Sequence, residues 1–228
     1  MSTFRFKQFA ISQDRCAMKV GTDGVLLGAW AAGGTRILDV GTGTGLVALM
    51  MAQRFPEARV TAIDVDEGAV EQACENVAAS PFADRVEVVW SDVQSFVGQT
   101  FDAIVCNPPY FANSLKCPDS RRTLARHSDS LTAADLAAAA DRLLSSDGML
   151  SVVLPTDVMA AFEAAAADKG FAVVRQCLVK TSNRRPAKRC LLTFCRSRAT
   201  AETSVECLAD GAGRSEWYSE LTRDFYLW

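Results

Sequence analysis

The residues Asn107-Pro108-Pro109-Tyr110 combine an amide side chain with a stiff backbone, directly after an apolar run that predicts a strand. Two consecutive prolines end a strand, and Pro108 favours an extended conformation at Asn107. The amide oxygen of Asn107 and the backbone oxygen of Pro108 could then accept both hydrogens of an amino or amide nitrogen. These contacts would aim the nitrogen lone pair at an electrophile such as a sulfonium methyl group. We therefore predict catalytic roles for Asn107, Pro108 and a stacking Tyr110; the alternatives are a stiff strand exit and a core aromatic.

A glycine-rich turn occupies positions 39–45, which read Asp-Val-Gly-Thr-Gly-Thr-Gly, between a predicted strand and a predicted helix. Glycine permits a tight turn and a close ligand, and the N-terminus of the helix offers free N–H groups. The dinucleotide pattern G-x-G-x-x-G is not met, because position 46 is Leu. The form D-x-G-x-G-x-G instead resembles class I methyltransferases, in which Asp39 would lie at the methionine ammonium of S-adenosylmethionine. Asp39, Gly41 and Gly43 are therefore predicted to bind the cofactor.

Two further carboxylates follow the next two predicted strands. Asp64 ends one of them, where an acidic side chain can accept hydrogen bonds from both ribose hydroxyls. Asp92 follows the other and could accept from an adenine amino group, with Val65 and Val93 as apolar neighbours. Each aspartate alone could equally be a loop or helix-cap residue, as we expect for Asp66. The ordered set favours a cofactor site, to which we also assign Asn107.

The charge distribution is uneven, although the formal net charge is only −3. Positions 169–201 contain nine basic residues and no acidic one. Such a segment is a candidate for phosphate contacts, and the alternative is a solvated edge that resists aggregation. The predicted RNA-binding residues, three of them from a second basic cluster, are Arg121, Arg122, Arg126, Arg184, Arg185, Lys188 and Arg189.

The single histidine, His127, excludes a histidine-rich metal site, and the eight cysteines form no C-x-x-C pair. We expect no bound metal and reduced cysteines. No apolar run is long enough to span a bilayer, and the N-terminus lacks the layout of a secretion signal. These features predict a cytoplasmic protein without membrane contact, which we expect to be a monomer.

Strands and helices are predicted to alternate along most of the chain. The apolar patterns predict strands at 36–40, 60–63, 86–90, 101–106, 148–154, 171–179 and 188–196. Helices are predicted after the glycine turn, around 70–77, from Thr132, and at 156–169 and 215–227. This alternation predicts an α/β fold with a mostly parallel sheet and helices on both faces, whereas the last two strands should form a hairpin. We expect one domain over 1–228, with 1–34 as a short extension packed on it.

The chain also resembles a known family. Asn-Pro-Pro-Tyr after the fourth strand is shared by amino-nitrogen methyltransferases that act on adenine, on guanine in ribosomal RNA and on glutamine in release factors. The run Phe4-x-Phe6-Lys7-Gln8-Phe9, the stretch 14–30 and the C-terminal 224–227 are similar to bacterial valine-tRNA adenine-37 N6-methyltransferases. The resemblance covers nearly the whole chain. It implies a seven-stranded Rossmann-like fold with a C-terminal antiparallel strand, S-adenosylmethionine as methyl donor, and N6-methylation of adenine beside the anticodon of a tRNA. It also implies that Thr22 and Asp23 lie near the methionine end of the cofactor, although Gly-Thr-Asp-Gly is also a good turn.

Three alternatives remain open at this point. A release-factor glutamine methyltransferase shares the cofactor and Asn-Pro-Pro-Tyr motifs, but 34 residues are too few for its helical recognition domain. An RNA guanine methyltransferase is a second alternative, although Tyr110 favours adenine or glutamine. A non-catalytic RNA-binding module of the same fold is the third, and the retained Asp39, Asp64, Asp92 and Asn107 argue against it.

Overall fold

A long, mixed β-sheet forms the centre of the protein. The computed structural model describes residues 3–16, 19–108, 131–197 and 200–227. Within these ranges the sheet has nine strands, in the spatial order β11-β10-β8-β9-β7-β6-β3-β4-β5. These are β3 (Arg36–Val40), β4 (Arg59–Asp64), β5 (Val86–Trp90), β6 (Phe101–Cys106), β7 (Leu144–Pro155), β8 (Ala172–Ser182), β9 (Ala187–Cys195), β10 (Glu202–Asp210) and β11 (Gly213–Arg214). A separate N-terminal hairpin consists of β1 (Thr3–Arg5) and β2 (Ala10–Ser12).

Most neighbouring strands of the sheet are parallel. Strands β5, β4, β3, β6 and β7 all run in one direction. Strand β9 lies antiparallel between β7 and β8, which confirms the predicted hairpin. Strand β8 therefore points the same way as β7, and its C-terminal end lies at the same edge of the sheet as the ends of β3 to β7.

The six helices in the described part of the chain cover both faces of the sheet. They are α1 (Thr22–Trp30), α2 (Leu46–Arg54), α3 (Glu67–Ala78), α4 (Ala133–Leu143), α5 (Met159–Ala167) and α6 (Glu216–Thr222). Alternate strand residues feed two apolar cores: Ile37 packs with α1 and α2, whereas Leu38 packs with α4 and α5. The α/β class, the mostly parallel sheet and the helices on both faces are thus confirmed.

Three elements differ from the sequence-based expectation. The segment that contains Thr22 and Asp23 begins helix α1 instead of forming only a turn, because the run from Val25 to Trp30 is buried. The N-terminal hairpin was not predicted, yet its Phe6, Phe9 and Ile11 share the core of α1 and α2. Strand β10 was also missed, and with β11 it extends the expected seven strands to nine.

No helix among the described residues has the length and apolar character that crossing a membrane requires. Their seven cysteines are all free thiols. Burial raises the pKa of the Cys106 thiol, next to Asn107, well above its ordinary value. A buried neutral thiol is a poor nucleophile, so we expect no nucleophilic role for Cys106.

Candidate active site

The glycine turn joins β3 to α2 and has a backbone that favours glycine at three positions. Gly41, Gly43 and Gly45 have φ values of 69°, 57° and 80°. The N–H groups of Gly41 and Thr42 both donate to the backbone oxygen of Ile63, at 2.9 and 3.0 Å, so the turn is tied to the end of β4. A Cβ at Gly41 would meet no atom within 4 Å, which leaves the backbone there open to a close ligand.

Asp39 lies beneath this turn and is almost fully buried. Its Oδ2 accepts hydrogen bonds from Thr42 Oγ1 at 2.6 Å and from the N–H of Ala48 at 3.1 Å. Burial raises the pKa of Asp39 to about 7, against the lowering effect of these two bonds. Asp39 therefore links the turn to the first part of α2, and its predicted contact with the cofactor ammonium stays a prediction.

Asp64, at the end of β4, is bound to two neighbouring backbone segments. Its Oδ2 accepts from the N–H of Gly43 at 2.8 Å, and its Oδ1 accepts from the N–H of Asp66 at 3.0 Å. Asp66 accepts from the N–H groups of Gly68 and Ala69 and caps α3, as expected. The carboxylate of Asp64 thus stands between the glycine turn and α3, where a ribose could reach it.

A shallow cavity of about 430 Å³ opens beyond Asp64 and is lined by Val65, Trp90, Ser91, Asp92 and Ser95. The side chains of Val65 and Trp90 are exposed, and Trp90 Nε1 donates to the backbone oxygen of Val65 at 3.0 Å. The hydroxyl and the N–H of Ser95 donate to Asp92 and lower its pKa. Val93, in contrast, is buried in the core of α4 and α5. The exposed Trp90 is the apolar surface that the sequence reasoning missed.

Asn107 and Pro108 follow β6 at the same edge of the sheet. Asn107 is partly exposed and lies against the first turn of α1, because a Cβ at Gly24 would stand 3.9 Å from Asn107 Nδ2. The same Cβ would stand 3.1 Å from Leu46 Cδ2, at the start of α2. Asn107, the glycine turn and α1 therefore converge. Tyr110 lies outside the described residues.

Thr22 and Asp23 begin α1, and Asp23 is held by a residue with a different predicted role. Arg189 Nε donates to Asp23 Oδ2 at 2.8 Å. One partner of Arg189 is thus an aspartate, whereas the sequence had suggested RNA phosphate. Thr22 is exposed at the start of the helix.

A strap formed by residues 13–16 crosses near the glycine turn and was not predicted as part of the site. The N–H groups of Asp14 and Arg15 donate to Gln72 Oε1 on α3. Cys16 Sγ lies 3.5 Å from the position that a Cβ would take at Gly43. A sequence signal that could have indicated it is the polar Gln72 on the face of α3 that also carries Ala69 and Ala73.

The basic segment does not form one continuous surface. Arg175 stacks over Trp30, 4.2 Å from the ring centroid, and Arg196 pairs with Asp141 at 2.8 Å. Three exposed members, Arg184, Arg185 and Lys188, lie on or beside the β8–β9 turn, at the same edge as Asn107. Three other predicted RNA-binding residues lie outside the described part of the chain, namely Arg121, Arg122 and Arg126. His127 also lies outside it.

No three His, Cys, Asp or Glu side chains come together as a metal site would require within the described ranges. The expectation of a metal-free site stays a prediction.

Known proteins are similar to this chain over most of its length. The model of the methyltransferase small domain matches residues 20–176. A protein of Bacteroides thetaiotaomicron named tRNA1(Val) (adenine(37)-N6)-methyltransferase is 50% identical over 230 residues, which cover 98% of this chain and 97% of that protein. A protein of the same name from Pseudoalteromonas translucida is 42% identical over 231 residues, covering 100% of this chain and 99% of its own.

A solved structure shares the fold. The crystal structure of a predicted O-methyltransferase from Agrobacterium tumefaciens superimposes with a TM-score of 0.70 at 21% identity, over 89% of this chain and 96% of that one. The protein is a methyltransferase enzyme, as its relatives are. The chain belongs to the methyltransferase small domain family and, within it, to the family of proteins named tRNA1(Val) (adenine(37)-N6)-methyltransferases.

Proposed function

We propose that the protein transfers a methyl group from S-adenosylmethionine to N6 of adenine-37, beside the anticodon of a valine tRNA. The observation that carries this proposal is the 50% identity, over nearly the full length of both chains, to a relative that bears the name of this activity. The position of Asn107 beside the start of the glycine turn, which follows from the pairing of Val40 with Cys106, supports it independently, because a donor site and an acceptor site then adjoin.

The residues along the carboxyl edge, where the C-terminal ends of β3 to β7 lie, fit S-adenosylmethionine. Gly41, whose backbone is open, and Gly43 would receive the methionine part, and the carboxylate of Asp64 would accept from the ribose hydroxyls. The cavity between Val65 and Asp92 would receive the adenine ring, with Trp90 as an apolar wall. S-adenosylmethionine supplies an electrophilic sulfonium methyl group when it is bound.

Asn107 and Pro108 would hold the acceptor. The amide oxygen of Asn107 and the backbone oxygen of Pro108 can accept the two hydrogens of the adenine amino group. The nitrogen lone pair is then turned out of the ring and toward the donor side of the site, which is a positioning effect. Val93 remains a predicted neighbour of the adenine ring of the cofactor, and Tyr110 remains a predicted neighbour of the acceptor base.

Arg184, Arg185 and Lys188 would contact tRNA phosphates from the β8–β9 turn, since that turn shares the sheet edge with Asn107. Arg121, Arg122 and Arg126 would add to this surface. The proposed chemistry requires no metal. A single copy of the chain carries all the proposed groups, so we propose a monomer. A tRNA substrate is consistent with action in the cytoplasm.

The proposal is tested by incubating the protein with labelled S-adenosylmethionine and bulk tRNA that lacks the modification, followed by nuclease digestion. Labelled N6-methyladenosine at position 37 of valine tRNA is the expected product. Label in guanosine would identify an RNA guanine methyltransferase instead. A parallel reaction uses release factor as the acceptor, and label on its glutamine would identify a protein glutamine methyltransferase. The absence of transfer to any acceptor would indicate a non-catalytic RNA-binding module.

A further inference from the structure

The ion pair between Arg189 and Asp23 joins two parts of the molecule that are 166 positions apart in the chain. Arg189 belongs to the start of β9, opposite Pro155 in β7, and directly follows the basic β8–β9 turn. Asp23 belongs to the first turn of α1. The Arg189 side chain is 31% exposed and that of Asp23 is 19% exposed, so the pair is partly shielded from solvent and from salt.

The first turn of α1 begins at Gly21, which occupies the N-cap position and has no side chain with which to cap the helix. The turn nevertheless packs tightly, because a Cβ at Gly24 would stand 3.1 Å from Leu46 Cδ2 and 3.9 Å from Asn107 Nδ2. A shift of this turn would therefore be passed directly to Asn107 and to the start of α2.

We propose that Arg189 is a positioning residue for methyl transfer, which acts through Asp23 to hold the first turn of α1 against Asn107 and the cofactor site. This inference rests on the proposed function, and it assigns Arg189 a role other than phosphate contact. Small misplacements of a reacting group reduce rates strongly, so a fixed α1 matters more for turnover than for tRNA affinity.

The test is a double-mutant cycle with Arg189→Ala, Asp23→Ala and the double variant. Each single variant should raise the Kd for S-adenosylmethionine severalfold and lower kcat at least tenfold, while the tRNA Kd and its dependence on salt stay unchanged. The double variant should be no worse than the more damaging of the two single variants, because both remove the same restraint. Arg189→Lys, which keeps the charge, should recover part of kcat.

Arg196→Ala is the matched control. It removes an Arg–Asp pair of the same 2.8 Å length, to Asp141, at the other end of β9. It should leave kcat and the Kd for S-adenosylmethionine unchanged, and thermal unfolding of all variants identifies any that do not fold.

Additive effects of the two substitutions in the cycle would overturn the inference. So would an Arg189→Ala variant that binds tRNA more weakly, with a smaller dependence of Kd on salt and an unchanged kcat, because Arg189 would then be a phosphate contact. When the double-mutant cycle is measured as the Kd for S-adenosylmethionine, no methyl acceptor is required. If the wild-type protein methylates no tRNA, the proposed function fails, whereas the coupling of Arg189 to Asp23 is still measured.

Discussion

Asp64 Oδ2 accepts a hydrogen bond from the N–H of Gly43 at 2.8 Å, so the carboxylate at the end of β4 fastens the turn that follows β3. Its other oxygen accepts from the N–H of Asp66, ahead of α3. The residue that we expect to bind ribose therefore also sets the shape of the glycine turn. Changes at Asp64 should affect the cofactor through both routes.

Asp64→Ala should weaken S-adenosylmethionine binding strongly. The substitution removes the acceptor for the ribose hydroxyls and releases the N–H of Gly43. Hydrogen bonds to charged groups contribute about 1.5–3 kcal/mol each, so the Kd should rise at least about tenfold, as isothermal titration calorimetry can measure. Asp64→Asn, which keeps one acceptor oxygen, should have a smaller effect.

Asp66→Ala is the control for this substitution, because Asp66 lies two residues away and caps α3. Loss of the cap should lower the free energy of unfolding by about 1 kcal/mol and leave the Kd nearly unchanged. An equal loss of cofactor affinity in both variants would show that Asp64 acts only through local stability.

Asn107→Ala should abolish most methyl transfer with little loss of cofactor binding. Removing one preorganised hydrogen-bond partner at a reacting group typically costs about 10²- to 10³-fold in kcat. Single-turnover kinetics with tRNA would measure the loss, and calorimetry with S-adenosylmethionine would check that the cofactor site is intact. Asn107→Asp keeps an acceptor oxygen and should retain more activity than alanine. Turnover at the wild-type rate in Asn107→Ala would exclude the proposed acceptor geometry.

The buried carboxyl of Asp39 predicts a pH dependence of stability. Its folded pKa of about 7 exceeds the ordinary 3.8, so between these values the folded protein holds a proton that the unfolded chain has lost. The stability that this proton confers is complete below pH 3.8 and is lost as the pH rises through about 7. The difference in pKa corresponds to about 4 kcal/mol as an upper limit.

Asp39→Asn isolates this effect, because an asparagine oxygen can accept from Thr42 and Ala48 but the side chain does not titrate. The free energy of unfolding of the variant, relative to wild type, should rise between pH 5 and pH 8 in denaturant titrations. A difference that stays constant over this range would show that Asp39 is ionised in the folded protein throughout.

The sequence predicted the elements that carry a strong apolar pattern or a special backbone. The strand before Asn107, the glycine turn and the cap at Asp66 could be read because proline, glycine and aspartate each restrict local structure. Helix α1 was not read, since its Gly-Thr-Asp-Gly start is typical of a turn and its burial depends on α2 and the N-terminal hairpin. Strand β10 was missed because its residues are mostly polar or half-exposed, which leaves little alternation to detect.

The residue pairings within the site could not have been predicted from spacing. Asp23 and Arg189 come together only because β9 lies antiparallel beside β7, which brings its start to the carboxyl edge. Trp90 was assigned to a strand, but its exposure follows from the position of β5 at the end of the sheet. Such relations between distant segments depend on the sheet order, which local patterns do not determine.

The exposed residues of the β8–β9 turn should contribute to tRNA binding mainly through charge. Replacing Arg184, Arg185 and Lys188 by glutamine should raise the Kd for tRNA. The slope of log Kd against log salt concentration should fall by about 0.7–0.9 for each phosphate that the variant no longer neutralises. Fluorescence anisotropy at several salt concentrations would measure both quantities.

The matched single comparison is Lys188→Gln against Lys169→Gln. Lys169 is also exposed and belongs to the same basic segment, but it follows α5, near the N-terminal end of β8 and so at the opposite edge of the sheet. Equal effects at the two lysines would mean that net charge alone attracts the RNA, whereas an effect confined to Lys188 would locate the tRNA on the edge that carries Asn107.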